Sequence, residues 1–195
     1  MATAEPSGGG QQTALTTAVS RAQDGDLRAF ETLVTHYASP LLRLCWRMLG
    51  NKSDAEDAMQ ETFMSAWTRL STLQHPEAFA TWLYRQGVNH CTSLLRLRQR
   101  QAEAMLDDDD NGIQVPDDAP TTDPHRRAES SQSMDRLTAL LQELPADQRA
   151  VWVLREMQEL SYQEISVALD IPAATVRGRL ARARKTLAEQ MKEWR

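Results

Sequence analysis

The sequence predicts an all-α protein: two small helical domains joined by an acidic flexible linker. Three observations lead there. Apolar residues recur at three- and four-residue steps in two blocks, about residues 19–101 and 132–195, and no stretch alternates as a strand would. Between the blocks, residues 102–131 hold DDDDNG, VPDDAP and TTDP, with three prolines and little apolar content. Such a segment cannot bury enough surface to offset its chain entropy. Aromatics make up only 6% of the chain, with Gly 8 and Pro 8, which suits aliphatic helical cores and disfavours a turn-dense β fold. At 195 residues the chain suits one ordinary domain or two small ones.

The elements follow in order. Residues 1–18 are small and polar and read as a disordered tail. Leu27, Phe30, Leu33, Val34, Tyr37, Leu41, Leu44, Cys45 and Met48 form an amphipathic helix, bent or interrupted near Pro40 and ended by Gly50-Asn51. Ser53-Asp54-Ala55-Glu56 has the pattern of a capping box. The helix it opens carries Met59, Phe63, Ala66, Trp67 and Leu70 on one face, with Asp54, Asp57, Gln60 and Glu61 on the other. Ser71–Pro76 reads as a loop, and a third helix runs from about Glu77 to Arg100. In the second block, Met134, Leu137, Leu140, Leu141 and Leu144 make a helix ended by Pro145. Ala150, Val151, Leu154 and Met157 make the next. Ser161-Tyr162-Gln163-Glu164 is a second capping box, opening a short helix that stops at Asp170-Ile171-Pro172. The last helix carries Val176, Leu180, Ala183, Leu187 and Met191.

Composition excludes several classes. No run approaches the roughly 18 apolar residues of a membrane span. Cys45 and Cys91 sit in helices and in no metal-ligand spacing, so a disulfide scaffold and a Cys-based zinc site are not expected. The start lacks a basic residue followed by an apolar stretch, so it is not a secretory signal and a cytoplasmic protein is expected. The net charge of −5, taken alone, argues against nucleic acid. Its distribution reverses the inference. Eight acids fall within residues 103–125 with no Lys or Arg, and setting them aside leaves 22 basic against 19 acidic residues. Ile171 to Arg195 holds seven Lys/Arg and two Glu. Local charge therefore decides, not the isoelectric point.

Three segments carry chemistry. Residues 161–185, SYQEISVALDIPAATVRGRLARARK, combine a short capped helix, a tight turn and a longer helix, the helix-turn-helix arrangement. With Val176, Leu180, Ala183 and Leu187 buried, Arg177, Gly178, Ala181, Arg182 and Lys185 face outward, with Thr175 at the start and Arg179 and Arg184 on the flanks. Arginine there can read guanine or clamp phosphate. The alternative is a solvated basic face on a plain helical hairpin. The segment FATWLYRQGVNHCTSLLRLRQR sets Phe79, Trp82 and Tyr84 beside Arg85, Asn89, His90, Arg96, Arg98 and Arg100, with no acid from Ala78 to Ala102. Stacking aromatics beside phosphate-holding cations suit single-stranded or melted DNA, although some of these aromatics also suit a core. SDAEDAMQETFMSAW places Asp57, Gln60 and Glu61 at helical spacing: a solvated acidic face or a docking face for a basic partner.

Taken together, SDAEDAMQETFMSAW, FATWLYRQGVNH and LPADQRAVWVLREMQELSYQEISVALDIPAATVRGRLARARKTL resemble the bacterial RNA polymerase sigma factors. The likeness is to the short extracytoplasmic-function (ECF) branch of the sigma-70 family, which has only sigma domains two and four. It covers about residues 19–100 and 132–192. The resemblance implies promoter recognition without catalysis and without a cofactor. It implies that Asp54, Asp57, Gln60 and Glu61 dock on the β′ clamp helices of core polymerase, with the β flap a further contact. The loop Ser71–Ala78 and Trp82, Tyr84, Arg85, Asn89 and Arg96 would capture and melt the −10 element. Thr175, Arg177, Gly178, Arg179, Ala181, Arg182 and Lys185 would read the −35 element. The acidic linker would thread from the active-site cleft to the RNA exit channel, a polyanion in a path built for RNA. An anti-sigma protein is a further implied partner, and no membrane insertion is implied.

The chain departs from the family pattern at three positions. Asp170 stands where the turn often has glycine, Gly178 replaces a common serine, and Gly87 stands where alanine is usual. A mid-helix glycine costs about 1 kcal/mol of helix propensity, so Gly87 either loosens its helix or admits a close approach. Two rival readings fit the sequence less well. A free-standing helix-turn-helix regulator has no need of the acidic helix followed by an aromatic-basic one. A hydrolase using Asp54, Glu56 or Asp57 lacks a positioned nucleophile, base and oxyanion donor set.

Overall fold

The computed structural model describes residues 8–107 and 128–192; among them the backbone forms eight α-helices and no strand. The first helix, α1 (Gly8–Gln23), takes in residues 8–18, which the composition suggests as tail. Ala18, Val19 and Ala22 are buried and Leu15 packs beside them, an i, i+3, i+4, i+7 stripe that the polar flanks obscure. Asp26 then caps α2 (Leu27–Leu49), accepting from the Ala29 amide at 3.1 Å. That bond, with the Arg21 guanidinium 2.6 Å away, lowers the Asp26 pKa.

Helix α2 runs unbroken through Pro40 rather than stopping there. It ends at Gly50, whose φ of 75° lets its amide turn back to the Trp46 carbonyl at 2.8 Å. Helix α3 (Lys52–Arg69) starts earlier than the expected box. Asn51 is its cap, accepting from the Asp54 amide at 3.1 Å, so Ser53 already lies inside the first turn. Single 3₁₀ turns at Leu70–Thr72 and Pro76–Ala78 lead into α4 (Phe79–Asp107). Helix α4 continues past Arg100, and α5 (Ala128–Gln142) opens before residue 132, so both enter the expected linker. Most of that linker's acid run lies outside the described residues.

Helices α1 to α4 enclose an aliphatic core closed by aromatic contacts, Phe30 against Trp67 at 4.9 Å and Tyr37 against Phe79 at 5.3 Å. Gly87 is where α4 approaches α2: an added Cβ would lie 2.8 Å from a Leu41 methyl. The glycine thus serves close packing. Cys45 and Cys91 are free and buried, and contact with Cys45 together with burial raises the Cys91 pKa, which keeps the thiol protonated.

Helices α5 to α8 form a second bundle: α6 (Ala146–Glu156), α7 (Tyr162–Leu169) and α8 (Ala173–Lys192). The Ser161–Glu164 capping box is formed in both directions. Val176, Leu180, Ala183 and Leu187 are buried as the spacing requires, but Met191 is 61% exposed. The two bundles do not stand apart. Helices α5 and α6 pack on α2, α7 packs on α4, and one buried apolar cluster spans both.

Candidate partner and nucleic-acid interfaces

The acidic face of α3 has an apolar centre. At about 100° per residue, Asp57, Gln60 and Glu61 share an arc, and Met64 falls in its middle. Asp57, Gln60 and Glu61 are exposed, and so are Met64 at 64% and Trp67 at 38%. Sequence patterning assigned Trp67 to the buried face and left Met64 out. The wheel position of Met64 was the signal that would have found it. Asp54 belongs elsewhere: its carboxylate pairs with Arg98 of α4 at 2.6 Å, bracing the start of α3. An apolar anchor ringed by acids and an amide is the anatomy of a protein-binding patch.

The outer face of α4 carries Trp82, Arg85, Asn89 and Arg96 within about one sixth of the helix circumference. Arg85, Asn89 and Arg96 are exposed. Trp82 is half-buried, its ring 5.9 Å from Phe79, so one aromatic remains at the edge of a polar stripe. Tyr84 is not part of it. It points the opposite way into the core, 6.3 Å from the Tyr37 ring, and burial pushes its pKa up to about 12. The loop before α4 is held from behind. The Gln23 side chain of α1 donates to the Leu70 carbonyl at 3.1 Å and the Leu73 carbonyl at 2.6 Å. Ser71, Thr72, Gln74, His75, Glu77 and Ala78 are left exposed on that support. Nothing in the sequence around Gln23 marks it for this work.

The turn between α7 and α8 spans residues 170–172 and is closed from both sides. Asp170 adopts φ 53° and ψ 49°, the left-handed conformation for which glycine is the usual occupant. The Ser166 hydroxyl donates to the Ile171 carbonyl at 2.6 Å, and the Ile171 amide donates to the Ser166 carbonyl at 3.1 Å. Helix α8 is thereby aimed outward from a fixed pivot.

The arginines of α8 divide into two kinds. Arg179, expected on the reading face, is half-buried and pairs with Asp147 of α6 at 2.9 Å. Arg184 bonds Glu156, also of α6, at 2.5 Å, and this bond raises its pKa. Both brace α8 against α6. Arg177 and Arg182 are exposed and make no ion pair among the described residues. Gly178 is half-buried, and an added Cβ there would only touch the Arg182 guanidinium at an ordinary 3.8 Å, so the space around it does not demand glycine. Ala181 and Lys185 are exposed, Lys185 within 3.9 Å of Glu189, and Thr175 is half-buried. A pivoted helix with two unpaired exposed arginines has the form of a DNA-reading element.

These features define a two-bundle protein with a helix-turn-helix and a separate docking face, and the comparisons place it further. The family model for sigma-70 region 2 matches residues 33–101, and that for sigma-70 region 4 matches residues 134–187. The RNA polymerase sigma-H factor of Pseudomonas aeruginosa is 33% identical over 172 residues, covering 87% of this chain and 89% of that protein. The ECF RNA polymerase sigma factor SigW of Bacillus subtilis is 32% identical over 188 residues, covering 90% and 95%. The solved structure of CnrH in complex with the cytosolic domain of CnrY superposes with a TM-score of 0.69 at 25% identity, covering 92% of this chain and 98% of that one. The chain belongs to the ECF RNA polymerase sigma factors of the sigma-70 family. No helix among the described residues is long and apolar enough to cross a membrane.

Proposed function

We propose that the chain binds core RNA polymerase and directs it to a subset of promoters, acting in the cytoplasm as a specificity factor and not as an enzyme. The exposed row on α3, with Met64 inside Asp57, Gln60 and Glu61 and Trp67 at its edge, carries the reading. An isolated operator-binding protein has no use for it, whereas a basic, partly apolar surface such as the β′ clamp helices fits it. On this reading Trp82, Arg85, Asn89 and Arg96 of α4, with the loop Ser71–Ala78, take the −10 element. Arg177 and Arg182 of α8 take the −35 element, with Lys185, Thr175 and the small residues Gly178 and Ala181 completing the approach. The segment between α4 and α5 threads the polymerase, and the β flap receives the second bundle. The structural relative CnrH was solved bound to a second protein, the cytosolic domain of CnrY, which supports the expectation of a protein partner here too, on this reading an anti-sigma protein.

Copurification with core polymerase, followed by run-off transcription from promoters with and without −10 and −35 elements, tests this. Binding to operator DNA alone, with no association with core, would transfer the assignment to a free-standing regulator.

A further inference from the structure

The loop assigned to the −10 element is strapped down by a side chain from another helix. It begins and ends in single 3₁₀ turns, Leu70–Thr72 and Pro76–Ala78. Leu70, Leu73 and Phe79 are buried and anchor its two ends. Between the turns Leu73 is extended, at φ −77° and ψ 107°, and Gln74 and His75 are exposed. Among the described residues, the amides of Gln74 and His75 donate to no backbone carbonyl. Regular backbone bonding therefore does not fix the tip. Gln23 bonds beside it instead. Its Nε2 donates to the Leu70 carbonyl at 3.1 Å and to the Leu73 carbonyl at 2.6 Å. These carbonyls stand at the start of the first turn and just past its end. One amide group thus sets both the turn and the direction in which the chain leaves it. Both partners are acceptors, and a primary amide carries two hydrogens on one nitrogen, one for each.

The strap has a rigid mount. Gln23 is the last residue of α1, and the helix stop around it is closed twice. The Gly25 amide donates to the Ala22 carbonyl and the Asp26 amide to the Arg21 carbonyl, both at 3.1 Å, with Gly25 at φ 89°. Asp26 in turn pairs with Arg21 and caps α2. Val19 and Ala22 are buried just before Gln23, and α1 packs against both 3₁₀ turns. A fixed backbone at Gln23 fixes its amide, and the amide fixes the chain that carries Gln74 and His75. A loop held in one shape presents those side chains to one base. A loop that samples several shapes meets several bases and must be ordered each time DNA binds.

We propose that Gln23 is a positioning residue for base discrimination in the −10 element. It touches no DNA. It holds the Leu70 and Leu73 carbonyls so that Gln74 and His75 meet an exposed base in one geometry. The proposal rests on the sigma-factor reading above, and it gives α1 a part in promoter recognition that its burial alone does not require.

The test uses two variants of the full chain. Gln23→Met keeps the length of the side chain and its helix preference but has no donor; Gln23→Glu keeps the shape and sets a carboxylate against two carbonyls. Holoenzyme formed with core polymerase transcribes a promoter pool randomised across the −10 element, and the transcripts give the preference for each base. Both variants should lower the ratio of favoured to disfavoured base by about fivefold or more, the worth of one base contact, while −35 preferences and affinity for core match the wild type. A ratio does not depend on how much protein is active, so lost stability alone leaves it unchanged. An unchanged ratio in either variant overturns the proposal. With Gln74→Ala and His75→Ala already in place, Gln23→Met should change the ratio no further; an independent loss there also overturns it. Hydrogen exchange on the free proteins needs no transcription: residues 71–78 should exchange faster in Gln23→Met, with α2 and α3 as in the wild type. Unchanged exchange in that segment, or faster exchange spread over α2 and α3, counts against positioning and overturns the proposal. A wild-type holoenzyme without any base preference in the −10 element, or a chain that does not associate with core, removes the sigma-factor reading itself.

Discussion

The division of the α8 arginines makes a prediction in which neighbouring substitutions fail for different reasons. Arg177→Ala and Arg182→Ala remove exposed guanidiniums that hold nothing inside the fold. Their loss should leave the melting temperature unchanged and weaken promoter recognition. A base-reading arginine is worth about 1–3 kcal/mol, which is about 5- to 150-fold in promoter affinity, and its loss relaxes specificity at one position. A phosphate-holding arginine weakens every sequence alike and lowers the salt slope by about one. Arg179→Ala should behave in the opposite way. It breaks a 2.9 Å pair with Asp147 that is half-exposed on the acid side. Such a pair contributes up to about 1 kcal/mol after solvent screening, or about 2–4 °C in Tm for a chain of this size. The assay is holoenzyme transcription on −35 variants across a salt series, beside thermal unfolding of the free proteins. If Arg179→Ala matches Arg177→Ala in promoter loss at an unchanged Tm, the bracing assignment is wrong and Asp147 does not hold that side chain. If both Arg177→Ala and Arg182→Ala transcribe all variants normally, α8 is not the reader.

Asp57→Lys with Glu61→Lys should weaken core polymerase binding by several kcal/mol in a pull-down while circular dichroism stays native, since like charges at a complementary face are costly; unchanged affinity would remove α3 as the docking face. Asn89→Ala should reduce thymine reactivity to permanganate in the −10 region more than it reduces duplex binding, with no drop in Tm, because Asn89 is exposed. Asp170→Gly should raise Tm by about 1–3 °C by relieving the left-handed strain, with part of the gain lost to unfolded-chain entropy, whereas Asp170→Val should lower it. Replacing Asp107–Asp110 by Ser should leave Tm alone and change the ratio of abortive to full-length transcripts; an unchanged ratio would refute the RNA-mimic role.

Helix existence was legible wherever one apolar stripe faced one core. The stripe of α8 and the capping box of α7 follow from spacing alone, because each is local. Errors arose where a helix serves two purposes. Tyr84 reads as a nucleic-acid contact when grouped with its sequence neighbours, yet it sits about half a turn from the Trp82–Arg85–Asn89 stripe and had to be core. Met64 is the converse, an apolar residue at the centre of a polar arc. In both cases angle carries more information than composition. The helix over residues 8–18 is hidden for a different reason: the stripe of α1 is only Leu15, Ala18, Val19 and Ala22, and its burial depends on α2 being present to receive it.

The contact between bundles was the least legible feature, and the physics of the contact explains why. Hydrophobic periodicity reports faces that cannot tolerate water. Arg47, Gln142 and Arg149 all tolerate it, and each satisfies a backbone carbonyl or hydroxyl that water would satisfy as well. A sequence pattern therefore assigns them to solvent, whereas the fold buries both Arg47 and Arg149. Side chains that meet a helix terminus through carbonyls and hydroxyls follow no three- or four-residue step, so the part of the contact that α5 and α6 make through Arg47, Gln142 and Arg149 leaves no periodic trace in the sequence.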